Sequence, residues 1–300
     1  MNKRCFGVGL ALIVLGFSPG TALAAPITFN TALPVGKGEF VNRELLVLTR
    51  SGKDPSGAER DVDVNALVSV LGFGISGELA IFGLLPYVDK ELQTTIGGTR
   101  VTRSSGGFGD FSVFARYTFF KQDARGHTFR IAAFGGLKAP TGEDEESDAL
   151  GRLPIPLQSG TGSWDAFGGV VATHQTLVFQ VDAQASYAAK SKANDFEGGD
   201  EVRLDVSFQY RLLPRSLGKG TPGFLYAVLE ANVTYRDENQ VFGSRDRNSG
   251  GTSFFLSPGL QYVAKRYILE GSIQLPVAQN LNGDALENNY VARIGFRWNF

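Results

Sequence analysis

From about residue 39 to the end of the chain, hydrophobic and polar positions alternate with a period of two, not the longer period of a helix. The pattern predicts strands at 39–49, 61–71, 77–87, 109–120, 127–138, 164–173, 177–188, 201–212, 224–236, 252–263, 267–277 and 289–300. Most are about 9 to 12 residues, the length a tilted strand needs to cross a hydrocarbon layer. In 201–212, Val202, Leu204, Val206, Phe208 and Tyr210 share one face, and Arg203, Asp205, Ser207, Gln209 and Arg211 share the other. In 289–300, Tyr290, Ala292, Ile294, Phe296, Trp298 and Phe300 oppose Val291, Arg293, Gly295, Arg297 and Asn299.

Soluble β-sandwiches alternate as well, so the connections decide the class. Ser51–Arg60, Val88–Phe108, Ala139–Ser163, Ala189–Asp200, Asp237–Gly251 and Ala278–Asn288 are long. Between them come the shorter Gly72–Ser76, Lys121–Gly126, His174–Thr176, Leu213–Gly223 and Ala264–Arg266. Long external loops facing short periplasmic turns are the layout of an outer-membrane barrel. The expectation is an all-β chain, a transmembrane antiparallel β-barrel of about 12 strands with both termini on the periplasmic side. The final Phe300 suits recognition by the barrel-assembly machinery, and tyrosines near strand ends suit interfacial girdles against outer-membrane lipid and lipopolysaccharide.

The first residues set the compartment. Lys3 and Arg4 precede the apolar run 6–17, and Ala22-Leu23-Ala24 has the small residues of a cleavage site. Residues 1–24 are therefore expected to be a secretory signal peptide, 25–38 an N-terminal extension and 39–300 the barrel. The pattern leaves open whether 25–38 packs inside as a plug. Thirty-eight glycines and 23 phenylalanines fit many turns and an aromatic surface. The single cysteine, Cys5, lies in the leader. A slightly negative chain, net charge −1, argues against nucleic acid as a partner.

If the apolar sets face lipid, the opposite sets line the lumen. Candidate lumen and rim residues are Asp110, Lys138, Asp165, Arg116, Arg130, Asp182, Arg203, Asp205, Glu230, Glu270 and Arg293, joined by Arg211 and Arg297. They can form ion pairs that fill a narrow barrel, or a polar path that selects solutes. Asp110 and Lys138 are equidistant from the turn between their strands, so they are expected to pair across it. Asp165 joins them at the external rim.

Three segments carry a family resemblance: Gly107-Phe108-Gly109-Asp110-Phe111 with Arg116-Tyr117, Gly136-Leu137-Lys138-Ala139-Pro140-Thr141-Gly142, and Gly162-Ser163-Trp164-Asp165. They resemble the "putative meta-pathway of phenol degradation" family of Gram-negative outer-membrane proteins. The resemblance implies a transporter-like barrel associated with aromatic catabolism, and it brings no catalytic residues. The expected function is a passive channel for small, apolar or aromatic solutes, with no cofactor and no metal. A surface barrel that binds partners through its loops is the alternative. An outer-membrane hydrolase is disfavoured, because His127 and His174 fall at periplasmic turns, away from the outer edge where lipid hydrolysis would occur.

Overall fold

The computed structural model describes residues 24–216 and 223–300. The leader assigned to residues 1–24 lies outside the described residues but for Ala24. Thirteen main strands follow in order: β1 (Phe40–Gly52), β2 (Asp61–Gly74), β3 (Leu79–Ile96), β4 (Thr99–Phe108), β5 (Ser112–Ala124), β6 (His127–Lys138), β7 (Asp165–Thr176), β8 (Phe179–Ala189), β9 (Glu201–Leu213), β10 (Gly223–Arg236), β11 (Gly251–Ala264), β12 (Tyr267–Leu281) and β13 (Glu287–Asn299). Neighbours pair antiparallel, and β1 pairs with both β2 and β13, so the sheet closes. The wall is a closed 12-strand barrel, because β4 and β5 share one place in it. The lower part of β3 pairs with β5, from Leu79 to Leu84, and its upper part pairs with β4, from Tyr87 to Ile96.

That upper part corrects one expectation. Val88–Phe108 is not a loop but a hairpin that continues the wall outward. It turns at Gly97 and Gly98, both with positive φ (57° and 79°), where an L side chain would be strained. Its strands carry few apolar residues, so hydrophobic alternation does not mark them.

Closure leaves no edge, so the backbone groups of the wall pair without water. Outward side chains complete the fit to lipid: Val206, Phe208 and Tyr210 on β9 are each 46–49% exposed, and Tyr267, Trp298 and Phe300 mark the periplasmic end. Phe40 and Phe300 exchange backbone hydrogen bonds of 2.7 and 3.0 Å, which seals the C-terminus to the start of β1. Among the described residues the only helix is a 3-10 turn, Ile155–Leu157, in the long connection between β6 and β7.

Candidate functional site: a two-sided lumen with an internal strap

The parity expected for the polar wall is present on β8 to β12. Gln180, Asp182, Asp205, Ser207, Gln209, Glu230, Asn232, Ser257 and Gln261 all point inward and are buried. Hydrogen bonds connect them. Asn232 Nδ2 donates to Asp205 Oδ1 (2.8 Å), Gln180 Nε2 to Asp182 Oδ2 (2.7 Å), and Gln261 Nε2 to Glu270 Oε2 (2.8 Å). Buried polar groups are tolerable only when satisfied in this way.

The rule that apolar sets face lipid fails on the opposite side. In the β1–β2 register Arg43 faces Val70, Leu45 faces Val68, Val47 faces Ala66 and Thr49 faces Val64. Arg43 reaches Ile27 inside the barrel, so these valines line the lumen. Phe82, Phe114, Phe134 and Phe167 also point inward. Phe82 and Phe114 stack at 4.7 Å, and Phe114 meets Phe134 and Phe167 edge-on at 6.4 and 6.0 Å. Glycines make room for these rings. A Cβ on Gly136 would lie 2.4 Å from Phe114 Cβ, and one on Gly169 would lie 2.8 Å from Phe134 Cζ. Conversely, Glu44 faces outward, its carboxylate accepting from Ser69 Oγ (2.6 and 2.7 Å) and Asn42 Nδ2 (2.9 Å). One side of the inner wall is therefore rich in apolar residues, and period-two alternation cannot tell which face of a strand is which.

Residues 24–38 run through this lumen. Ala24 packs on Val263 and Ile268, next to the periplasmic turn between β11 and β12. The strap rises to mid-barrel, where the Ile27 and Thr28 N–H groups donate to the two Glu230 oxygens at 2.7 and 3.0 Å. Thr31 Oγ1 donates to Asp182 Oδ1 (3.1 Å), and Arg116 donates to the Leu33 carbonyl (2.6 Å). The strap then descends, and Gly38 N–H reaches the Gly74 carbonyl at 2.8 Å. Asp182, Glu230 and Arg116 thus hold backbone or hydroxyl groups of the strap. Sequence reasoning placed them in the lumen without naming what they hold.

Between the strap and the apolar wall lies a cavity of about 480 Å3. Its lining includes the four inward phenylalanines and five arginines: Arg43, Arg116, Arg203, Arg293 and Arg297. Arg43 and Arg297 are register partners that share Glu270, at 2.5 and 3.6 Å. Arg203 pairs with Asp205 at 3.0 Å, and its buried Nε has no partner. Arg130 sits apart, near the periplasmic end, 3.3 Å from Asp123. Arg211 stands over the Phe224 ring at 5.8 Å, also near that end.

The rim residues come together. Lys138 Nζ lies 3.0 Å from Asp110 and 2.9 Å from Asp165, and Lys190 lies 3.2 Å from Asp165. Asp110 occupies the break between β4 and β5. There it accepts from Thr161 Oγ1 (2.6 Å) and from the Thr161 and Gly142 N–H groups (3.0 and 3.1 Å). Burial pushes its carboxyl up, but the hydrogen bonds from Thr161, Lys138 and Gly142 outweigh this and hold it below the usual carboxylate range. The cluster so pins both ends of the β6–β7 connection. Lys90 pins the middle, donating to the Pro156 and Gln158 carbonyls at 3.1 and 2.5 Å.

His127 and His174 lie at the periplasmic end, their ring centroids 6.1 Å apart. His174 sits within β7 rather than in a turn, near Phe129 and Phe179.

The family model described as "Putative MetA-pathway of phenol degradation" matches residues 49–277. The chain belongs to this family. No curated protein sequence matches it. Among solved structures, it is similar to an outer membrane channel from Pseudomonas putida F1. That match has 16% identity and a TM-score of 0.63, covering 93% of this chain and 100% of the other. The transport unit of the autotransporter AIDA-I from Escherichia coli matches with 12% identity and a TM-score of 0.47, covering 87% and 90%. The beta domain of the Bordetella autotransporter BrkA matches with 14% identity and a TM-score of 0.46, covering 88% and 100%. At 16% identity the likeness to the Pseudomonas channel is one of fold. This member of the phenol-degradation family has the fold of an outer-membrane β-barrel.

Proposed function

We propose that the barrel is a passive outer-membrane conduit for small, apolar or aromatic solutes, acting without catalysis. The observation that carries this reading is the apolar side of the lumen, where Val68 and Val70 continue into Phe82, Phe114, Phe134 and Phe167 beside the strap. A general diffusion pore gains nothing from inward phenylalanines, whereas an apolar solute loses water against them. A barrel carries no coupling to ATP, so the solute moves down its gradient. The Asp110–Lys138–Asp165 rim is proposed to filter charge at the outer mouth, and Phe300 to serve as the handle for the assembly machinery.

The test is solute flux into vesicles whose outer leaflet is lipopolysaccharide, comparing phenols, aromatic acids, alkanes and sugars. Phenols and aromatic acids should cross faster than sugars of similar size. Equal rates for all would leave a general pore. A second reading rests on the external loops. Short strands at Lys192–Ala193, Phe196–Glu197, Asn239–Val241 and Ser244–Asp246 form an ordered four-stranded sheet that could dock a surface partner. Absence of flux for every solute would favour it.

A further inference from the structure

We propose that the lumen cavity is a binding site for a small aromatic carboxylate, with the ring on the phenylalanine shelf and the carboxylate on Arg293 and Arg203. This rests on the conduit reading and narrows its substrate class. The cavity, about 480 Å3, has the size of a small-molecule site. What distinguishes it is an arginine with free donors and, among the described residues, no ion pair, set against an aromatic wall.

The charges can be followed one by one. Of the five arginines on the lining, Arg43 and Arg297 share Glu270, and Arg203 has Asp205. Among the described residues, Arg116 and Arg293 have no carboxylate within ion-pair distance. Arg116 is committed elsewhere: it donates to the Leu33 carbonyl and stands over the Phe82 ring at 4.9 Å. Arg293 spends one nitrogen on Gln274 (2.8 Å). Its charged neighbours are Arg203 and Arg43 of like sign, and Glu230 and Asp205 of opposite sign. Both of those carboxylates are already occupied, Glu230 by strap N–H groups and Asp205 by Arg203 and Asn232. Two carboxylates lie on the lining itself. Glu201 is taken by Arg236 at 2.6 Å, and Glu39 sits at the periplasmic end, beside Gly36. Arg293 therefore faces the cavity with donors to spare, and Arg203, tied to Asp205 through one nitrogen, lies on the same lining.

A guanidinium with free donors in a poorly hydrated space is a carboxylate receptor, because its planar fork matches two oxygens. A neutral alcohol would leave the charge unanswered. The opposite wall settles the body of the ligand. Three rings packed around Phe114, one of them beneath the Arg116 cation, present faces and edges that suit another aromatic ring.

The experiment is calorimetric titration of the purified full chain in a nonionic detergent and a carboxylate-free buffer. The probes are benzoate, benzyl alcohol and cyclohexanecarboxylate. Benzoate should bind at least ten-fold more tightly than either of the others. Arg293→Gln should lower benzoate affinity about ten-fold and leave benzyl alcohol unchanged. Phe114→Leu should erase the preference over cyclohexanecarboxylate. Heat-modifiable gel migration checks the fold of each variant. Equal binding of benzoate and benzyl alcohol, or no effect of Arg293→Gln, overturns the carboxylate assignment. Equal binding of cyclohexanecarboxylate to the unaltered chain overturns the aromatic one. Because binding is read without transport, failure here is distinct from failure of phenol flux, which tests the conduit.

Discussion

The Ile27 N–H donates to Glu230 Oε1 at 2.7 Å across 203 residues of sequence, and Thr28 N–H takes the second oxygen of the same carboxylate. One fully buried side chain thus fixes the top of the strap to the wall. Charge-assisted hydrogen bonds of this kind contribute about 1.5–3 kcal/mol each. Glu230→Ala should free the strap without opening the barrel seam. Single-channel recording should then show larger and noisier conductance, and protease added from the periplasmic side should cut within 25–38 faster. An unchanged conductance would mean that the strap does not limit passage.

The strap also shows where sequence reading stops. Most strand positions and the loop asymmetry were legible, because they rest on local periodicity. Counting from the turn put Asp110 opposite Lys138, whereas the register, with its bulge after Thr118, sets Ser112 there, and Asp110 reaches the lysine from outside the strand. The identity of the lumen was not legible. By the rule that apolar sets face lipid, Val68 and Val70 would point outward, yet they line the cavity beside the strap. Glu44 faces outward for the same reason: alternation assigns residues to two faces and gives neither face a name. The destination of residues 25–38 was invisible, since Glu230, Asp182 and Gln261 lie more than 140 residues away. A hint was available in the many uncharged and acidic inward residues of β8 to β12, which need donors that the wall does not supply.

The lipid face of β9 is checked by Phe208, half-exposed at mid-strand. Phe208→Arg should cost about 2–4 kcal/mol in urea unfolding from lipid vesicles, and Phe208→Leu should cost far less. Gln209, its neighbour, is fully buried and donates to Asp182 at 3.3 Å. An arginine there is crowded rather than solvated, so Gln209→Arg should also destabilise, through the packed lumen and not through lipid.

Gly136 tests the aromatic shelf. A Cβ there would stand 2.2 Å from the Val113 carbonyl oxygen, against backbone that cannot swing aside. Gly136→Ala should cost about 1–3 kcal/mol by overpacking and push Phe114 from its stack on Phe82. A folded variant with unchanged stability would show that the β5–β6 pair can spread.

The rim has a pH dependence whose sign follows from Asp110. Its folded carboxyl titrates below the ordinary value, which is about 3.9. The docking energy is therefore fully present above that value and is lost as pH falls through the folded one. Protection factors across residues 139–163, corrected for the intrinsic pH dependence of exchange, should be constant between pH 8 and pH 5 and should fall only below about pH 4. Loosening already at pH 6 would point to another group.

Lys138 tests the proposed part of the rim in selectivity. It is the shared cation of Asp110 and Asp165, with Thr161 Oγ1 as a further partner. Removing it leaves two carboxylates facing each other with only Lys190 near Asp165. The site is at the mouth and its lysine is 15% exposed, so the cost should stay below the roughly 3–5 kcal/mol of a fully buried pair. Lys138→Ala should therefore fold, yet slow benzoate uptake into proteoliposomes by leaving unbalanced negative charge. Phenol, neutral at pH 7, should be less affected. The double change Asp110→Ala with Lys138→Ala removes one of the exposed charges and should restore much of the benzoate flux. The double change also strips the Thr161 and Gly142 contacts, so its loop should exchange faster than that of the single variant even as flux recovers. If Lys138→Ala slows both solutes alike, the cluster acts by holding the β6–β7 connection in place and its charge has no part in selection.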